Sequence, residues 1–214
     1  MLLLNSGPAR AQIAPDSARL VGKLALVKLF SSTYEAEVEY RHGQRFSFSL
    51  LPRLVSGKPN DYSANSTITI TTSNDQIRGY GLGFGSRFYI PNTGTEGTRL
   101  AGLYIGLKAE YQHLRLSYQK EVWGEDPAPD GLLYYTFRNR KFTETINRYG
   151  GAATLGYQCQ IFLPRLRLDA SASLNNLYSR SSAGQASRYR SFQADYAYSG
   201  ALWTMGLSVG YVLK

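Results

Sequence analysis

The sequence predicts an all-β protein, an eight-stranded antiparallel up-and-down barrel, and three observations predict it. Apolar residues recur at every second position in successive segments, the mark of strands with one greasy face. The connections between those segments alternate between short turns and long polar loops. No stretch approaches the roughly 18–20 uninterrupted apolar residues a spanning helix needs, yet with 43% hydrophobic and 13% aromatic residues the chain is far from a disordered composition. Its 214 residues suit one domain with a sizeable core.

The elements follow in order. Leu20 to Phe30 is the first and least regular strand. In the second, Tyr34, Ala36, Val38 and Tyr40 alternate with Glu35, Glu37, Glu39 and Arg41; a helix would scatter the three Glu, whereas a strand puts them on one face. The third sets Phe46, Phe48 and Leu50 against Arg45, Ser47 and Ser49. The fourth sets Tyr80, Leu82, Phe84 and Phe88 against Gly79, Gly81, Gly83, Gly85 and Arg87. In the fifth, Leu103, Ile105, Leu107, Ala109 and Tyr111 oppose Tyr104, Gly106, Lys108, Glu110 and Gln112. Leu114, Leu116 and Tyr118 then take the other parity, which predicts a bulge near Gln112 and His113. Ala153 to Ile161, Leu166 to Asn175 and Trp203 to Leu213 supply strands six to eight.

His42-Gly43-Gln44, Pro91-Asn92-Thr93-Gly94 and Leu163-Pro164-Arg165 are the short turns of one end. Ser56 to Gln76, Trp123 to Thr145 and Arg180 to Ser199 are the long loops of the other. That is the layout of an outer-membrane barrel with N- and C-termini in the periplasm. The polar row, with four alternating Gly between 79 and 85, leaves room for long side chains and suits a lumen better than a solvent face. Tyr34 and Tyr40 flank Ala36 and Val38, and Trp203 and Tyr211 bracket the last strand, as aromatic girdles do at two interfaces. The predicted fold is thus a transmembrane barrel, with a soluble lipocalin-like barrel or sandwich as the alternative.

Two stretches carry a resemblance. Leu24-Ala25-Leu26-Val27-Lys28-Leu29-Phe30, with the Tyr34 to Tyr40 run ending in Glu39-Tyr40-Arg41, resembles the opening hairpin of small Bacteroidota outer-membrane β-barrel proteins of uncharacterised function. Gly81-Leu82-Gly83-Phe84-Gly85-Ser86-Arg87-Phe88-Tyr89, followed by Gly102-Leu103-Tyr104-Ile105-Gly106, is similar to the same family. The last strand, Thr204 to Tyr211, resembles the C-terminal signal read by the barrel-assembly machinery, although it ends in Leu213-Lys214 instead of an aromatic. At the other terminus, three Leu precede Ala9-Arg10-Ala11, a small-x-small pattern that predicts a signal-peptide remnant over 1–11 and a single barrel domain over 12–214.

An eight-stranded barrel is only wide enough to be filled by its own side chains. Lys23, Arg41, Arg45, Arg87, Lys108 and Arg167 on the polar row oppose Glu35, Glu37, Glu39, Glu110 and Asp169, which predicts a lumen plugged by salt bridges; a proton or ion path is the alternative. The net charge is +9, and much of the excess falls in Arg138, Arg140, Lys141, Arg148, Arg180, Arg188 and Arg190. In outer loops these are expected to contact lipid and lipopolysaccharide phosphates, with ordinary solvated loop charge as the alternative. Interleaved Tyr134, Tyr135, Phe137, Tyr189, Tyr196 and Tyr198 predict either a protein-binding surface or strands extended beyond the membrane, and a periplasmic or surface protein partner of unknown identity is the corresponding partner expectation. No recognised nucleic-acid module is present.

Catalysis would rest on His113 with Asp126 or Asp130 in the neighbouring loop. No nucleophile motif accompanies them, and His42 lies in a turn at the other end. Cys159 falls in the outward row and, as the single Cys, forms no internal disulfide. The expectation is a non-enzymatic structural or interaction barrel without metal or cofactor. The alternatives are a narrow channel or an accessory barrel of a secretion assembly, resembling PorT-like proteins, and an outer-membrane lipid-modifying enzyme.

Overall fold

The computed structural model describes residues 20–30, 32–43, 45–58, 75–90, 101–161, 163, 165–184, 187, 190 and 195–213. The expected signal remnant, Met1 to Ala11, lies outside them. Eight strands close into one barrel in chain order, each paired antiparallel with its neighbours and the last with the first. They are β1 (Leu20–Ala25), β2 (Thr33–His42), β3 (Phe46–Gly57), β4 (Gln76–Tyr89), β5 (Gly102–Pro127), β6 (Leu133–Gln160), β7 (Leu166–Ser181) and β8 (Gly200–Val212). Closure leaves no sheet edge where the ladders are complete. Leu20 and Val212 lie at the short-turn end, where Gly43 takes the positive φ that its tight turn demands.

Burial settles which face is which. Along β2 every odd position is buried and every even one exposed, so Glu35, Glu37, Glu39 and Arg41 point inward while Tyr34, Val38 and Tyr40 point out. The apolar row is the outer surface of the barrel all the way round: Phe46, Phe48 and Leu50, Leu82 and Phe84, Leu103, Ile105 and Leu107, Leu155 and Tyr157, Leu174, and Trp203 and Met205 are all exposed.

Three expectations are corrected. No bulge interrupts β5: its ladders with β4 and β6 run unbroken through Gln112 and His113. Leu114, Leu116 and Tyr118 stay on the lumen side, where they pack with Val55, Ile77, Ile146 and Ala197 in an apolar cluster near the long-loop end. What changes at Gln112 is polarity. Above it the outward row becomes His113, Arg115, Ser117 and Gln119, so the barrel there is greasy inside and polar outside. The expected loop from Trp123 to Thr145 is instead a ribbon, because β5 and β6 stay paired from Gln112↔Arg148 to Pro127↔Leu133. Last, the expected first strand stops at Ala25 and a single helical turn follows, α1 (Leu26–Leu29).

Candidate functional site: the lumenal charge cluster

Inward side chains of β1, β2, β4, β5, β6 and β7 meet across the short-turn half of the lumen. Lys23 Nζ lies 2.6 Å from Glu39 Oε2 and 2.7 Å from Asp169 Oδ2, and donates to Gln158 Oε1 at 2.5 Å. Arg87 serves three carboxylates, reaching Glu37 Oε1 and Asp169 Oδ2 at 2.7 Å each and Glu39 Oε2 at 3.3 Å. Tyr89 and Tyr104 donate their hydroxyls to Glu39 and Asp169, both at 2.7 Å, and Ser47 adds a donor to Glu39. The Arg87 guanidinium also sits 4.6 Å above the Tyr104 ring. The side chains of Lys23 and Glu39 are 0% exposed. Buried charges persist only when paired and hydrogen-bonded, and Lys23, Glu39 and Asp169 are both.

A second tier lies toward the long-loop end. Arg53 Nε donates to Glu35 Oε2 at 2.6 Å, and its Nη2 reaches Glu110 Oε2 at 2.9 Å. Lys28 on α1 reaches Glu35 at 2.5 Å. Gln112 donates to Glu110. The backbone makes room for this filling: Tyr104 lies directly across the ladder from Gly156, where any Cβ would overlap its ring.

Of the residues singled out in the sequence, Lys23, Glu37, Glu39, Arg87 and Asp169 come together in the first tier, and Glu35 and Glu110 in the second. Arg41 and Arg167 are buried at the short-turn end, donating to Gly43 O at 2.7 Å and Gln160 Oε1 at 3.0 Å. Lys108 is in the lumen but forms no ion pair with a described carboxylate. Arg45 is corrected outright. It sits exposed in the turn before β3, because that strand begins only at Phe46. Arg148 is corrected too: β6 starts at Leu133 and carries Arg148 into the lumen wall opposite Gln112, not into an outer loop. Arg138 and Arg140 lie on the ribbon and both pair with Asp126 of the facing strand, Arg140 at 3.0 Å. A hydrogen bond from Thr136, then these two Arg, hold the Asp126 carboxyl below its usual range. Lys141, Arg180 and Arg190 are exposed, and Arg188 lies outside the described residues.

Arg53 and Lys28 were missed. Arg53 keeps the inward parity of β3 once that strand is followed past Pro52. The β2–β3 ladder skips Ala36 and Glu37 opposite Pro52 and Leu51, where Pro52 has no N–H to give, and then resumes. Among the described residues the groups named for the catalytic alternative do not come together. His113 bonds Asn147 Oδ1 at 2.8 Å on the outer face, while Asp126 is thirteen positions further along the same strand, roughly 40 Å away. Among the described residues no three metal-ligating side chains cluster.

No known family profile matches the chain, and no curated protein sequence does. Solved structures similar to it include CarO of Acinetobacter baumannii, at 11% identity and TM-score 0.45, covering 91% of this chain and 98% of that one. Others are CarO2 of the same organism, at 10%, 0.40, 92% and 98%, and the N-terminal β-barrel domain of Pseudomonas aeruginosa OprF, at 16%, 0.34, 90% and 93%.

Proposed function

We propose that the chain is an outer-membrane β-barrel with a plugged, salt-bridged lumen, a non-catalytic structural or interaction protein that presents its long-loop end at the cell surface. The observation that carries this reading is the inversion of polarity: fully buried ion pairs inside, and outside a continuous belt of exposed Leu, Ile, Phe and Tyr. Water would penalise such a belt, whose extent is far beyond the patches soluble monomers tolerate, whereas lipid requires it.

Aromatic residues bound the belt. Tyr40, Phe46, Phe88, Tyr157 and Tyr211 ring the short-turn end, and Tyr111, Tyr149 and Tyr178, which pair directly across two ladders, ring the other. On β6 the rings are eight positions apart, Tyr149 to Tyr157. With ~3.3 Å rise and ~40° tilt, that is roughly 20 Å, close to the apolar height of outer-membrane barrels. The switch to polar outward residues above Tyr111 fits emergence from the bilayer.

In this orientation the termini lie in the periplasm, and the last strand is what the assembly machinery reads. Exposed Lys141, Arg180 and Arg190 meet lipopolysaccharide phosphates. The ribbon tip, with exposed Leu132, Leu133, Tyr134 and Tyr135, meets a protein partner. The two-tier ion network disfavours the channel reading, because its side chains cross the lumen.

The test is a gel comparison of the chain refolded from urea into detergent micelles, loaded boiled or unboiled. A faster unboiled band, resistant to SDS until heated, is expected. Identical mobility in both lanes, with folding in the absence of detergent, would overturn the membrane reading.

A further inference from the structure

Among the described residues the barrel closes through a seam between β1 and β8 that is shorter than β8 itself. β8 runs from Gly200 to Val212, but β1 pairs with it only from Ala25↔Ser208 to Val21↔Val212. Among the described residues, Ala201 to Leu207 have a strand partner on the β7 side alone, and α1 stands beside them in place of a strand. Thr204, which has lumenal parity, is consequently exposed, and Trp203 and Met205 are 72% and 85% exposed. An open strand edge at bilayer depth is costly, since no water there satisfies its N–H and C=O groups.

Behind this gap lies a cavity of about 530 Å³, within the range of small-molecule sites. Its inner wall carries Lys108 and Arg148; its mouth is lined by Val27, Phe30, Trp203, Met205 and Leu207. Glu37, Arg87 and Asp169 of the ion network line it toward the short-turn end, and Gln112, Leu177 and Tyr196 line it toward the long loops. The charged groups facing it are Lys28, Arg53, Arg87, Lys108 and Arg148 against Glu35, Glu37, Glu110 and Asp169. Every one of those carboxylates is already engaged by Lys23, Lys28, Arg53 or Arg87. Lys108 and Arg148 form no ion pair with a described carboxylate, and Arg148 Nε is buried without a hydrogen-bond partner. Two spare cations aimed into a chamber with an apolar mouth leave a place for an anionic headgroup with an attached hydrocarbon chain.

We propose that the gap between α1 and β8 is a lateral portal, through which a single-chain amphipathic anion enters from the bilayer and lodges its headgroup between Lys108 and Arg148 while its acyl tail lies along Trp203, Met205 and Leu207. The inference rests on the membrane reading above. It adds a ligand class and a route that the plugged axis does not provide.

The probe is oleate, added to the full chain in detergent micelles and followed by native mass spectrometry, with acetate and inorganic phosphate as headgroup-only probes. A discrete one-to-one oleate adduct is expected, with no adduct from acetate or phosphate. Lys108→Gln with Arg148→Gln should lower oleate occupancy at least tenfold while keeping the boiled and unboiled gel shift, since neither residue holds the ion network together. Thr204→Trp, which fills the chamber without changing charge, should lower it similarly. A statistical ladder of adducts indifferent to these substitutions would overturn the proposal, as would acetate or phosphate binding as tightly as oleate. Loss of the gel shift in the unmodified chain would sink the membrane reading instead; a normal shift without an adduct sinks the portal alone.

Discussion

Arg87 is the side chain whose loss tests the ion network most sharply. In Arg87→Met, Asp169 keeps Lys23 and Tyr104, and Glu39 keeps Lys23, Tyr89 and Ser47. Glu37 keeps no described ion-pair partner, because its ion pair is the 2.7 Å one to Arg87. Stranding one buried carboxylate costs about 3–5 kcal/mol, and losing the guanidinium over Tyr104 adds about 1–2 kcal/mol. The expected destabilisation is thus about 4–7 kcal/mol. It should be read by urea unfolding of barrels refolded into lipid vesicles, scored as the fraction running at the unboiled position on a gel. Neutralising the stranded partner as well, in Arg87→Met with Glu37→Gln, should recover more than half of the loss, because a pair removed together leaves no charge without compensation. The reasoning fails if the single variant costs under about 1 kcal/mol, or if the double variant is no more stable than the single, since either outcome means the Glu37 carboxylate is solvated and not buried.

Two further perturbations act elsewhere. Gly156→Val drives a side chain into the Tyr104 ring and pulls its hydroxyl from Asp169, an expected loss of about 2–4 kcal/mol in the same urea assay; Gly151→Ala on the same strand, where an added Cβ meets only Lys108 O at an ordinary 3.5 Å, is the control and should cost little. On the ribbon, the depressed folded-state pKa of Asp126 means its contribution is present above the unfolded value of about 3.9 and is lost as pH falls through the folded value. Trp123, tilted against Phe137 at 5.4 Å nearby, reports it. In a Trp203→Phe background its fluorescence should titrate below pH about 3.9, and Asp126→Asn should abolish the titration.

How much of this was legible is best judged strand by strand. The alternation in β2, β4, β7 and β8 assigns inward and outward residues correctly because period two and a closed barrel leave two faces and no others. The same rule misreads β5 above Gln112. Parity judged by hydrophobicity fails there, because a strand that leaves lipid for water exchanges its greasy side without slipping register. Leu114 and Leu116 therefore look like a phase change and are none. Arg148 is misplaced for a related reason: the polar stretch from Trp123 to Thr145 reads as loop composition, yet cross-strand contacts such as Trp123 with Phe137 and Tyr118 with Phe142 hold it as a ribbon. Arg53 escapes notice because Pro52 looks like a strand end. The gap beside β8 has no local signature, since it depends on what a different segment, Leu26 to Leu29, fails to do.

That failure has a physical cause that can be reversed. Continuing β1 past Ala25 would put Lys28 on the outward row with Leu24, Leu26 and Phe30, and Leu29 in the lumen. A Lys on the lipid face of a barrel costs about 2–4 kcal/mol at mid-depth. The helical turn instead folds Lys28 back to Glu35, and among the described residues Ala201 to Leu207 are then paired on the β7 side alone. Lys28→Leu with Leu29→Ser removes the conflict: the introduced leucine joins Leu24, Leu26 and Phe30 on the outward row, and the introduced serine joins Ala25 and Val27 facing the lumen. Glu35 retains Arg53, so the second tier survives. The segment should then pair with β8. Backbone amide exchange at Ala201 to Leu207 should slow at least tenfold, and oleate should no longer form its one-to-one adduct. If exchange at those amides is unchanged, charge placement at Lys28 is not what ends β1. If exchange slows while the oleate adduct persists, the ligand reaches Lys108 and Arg148 by another path, and the gap is not its door.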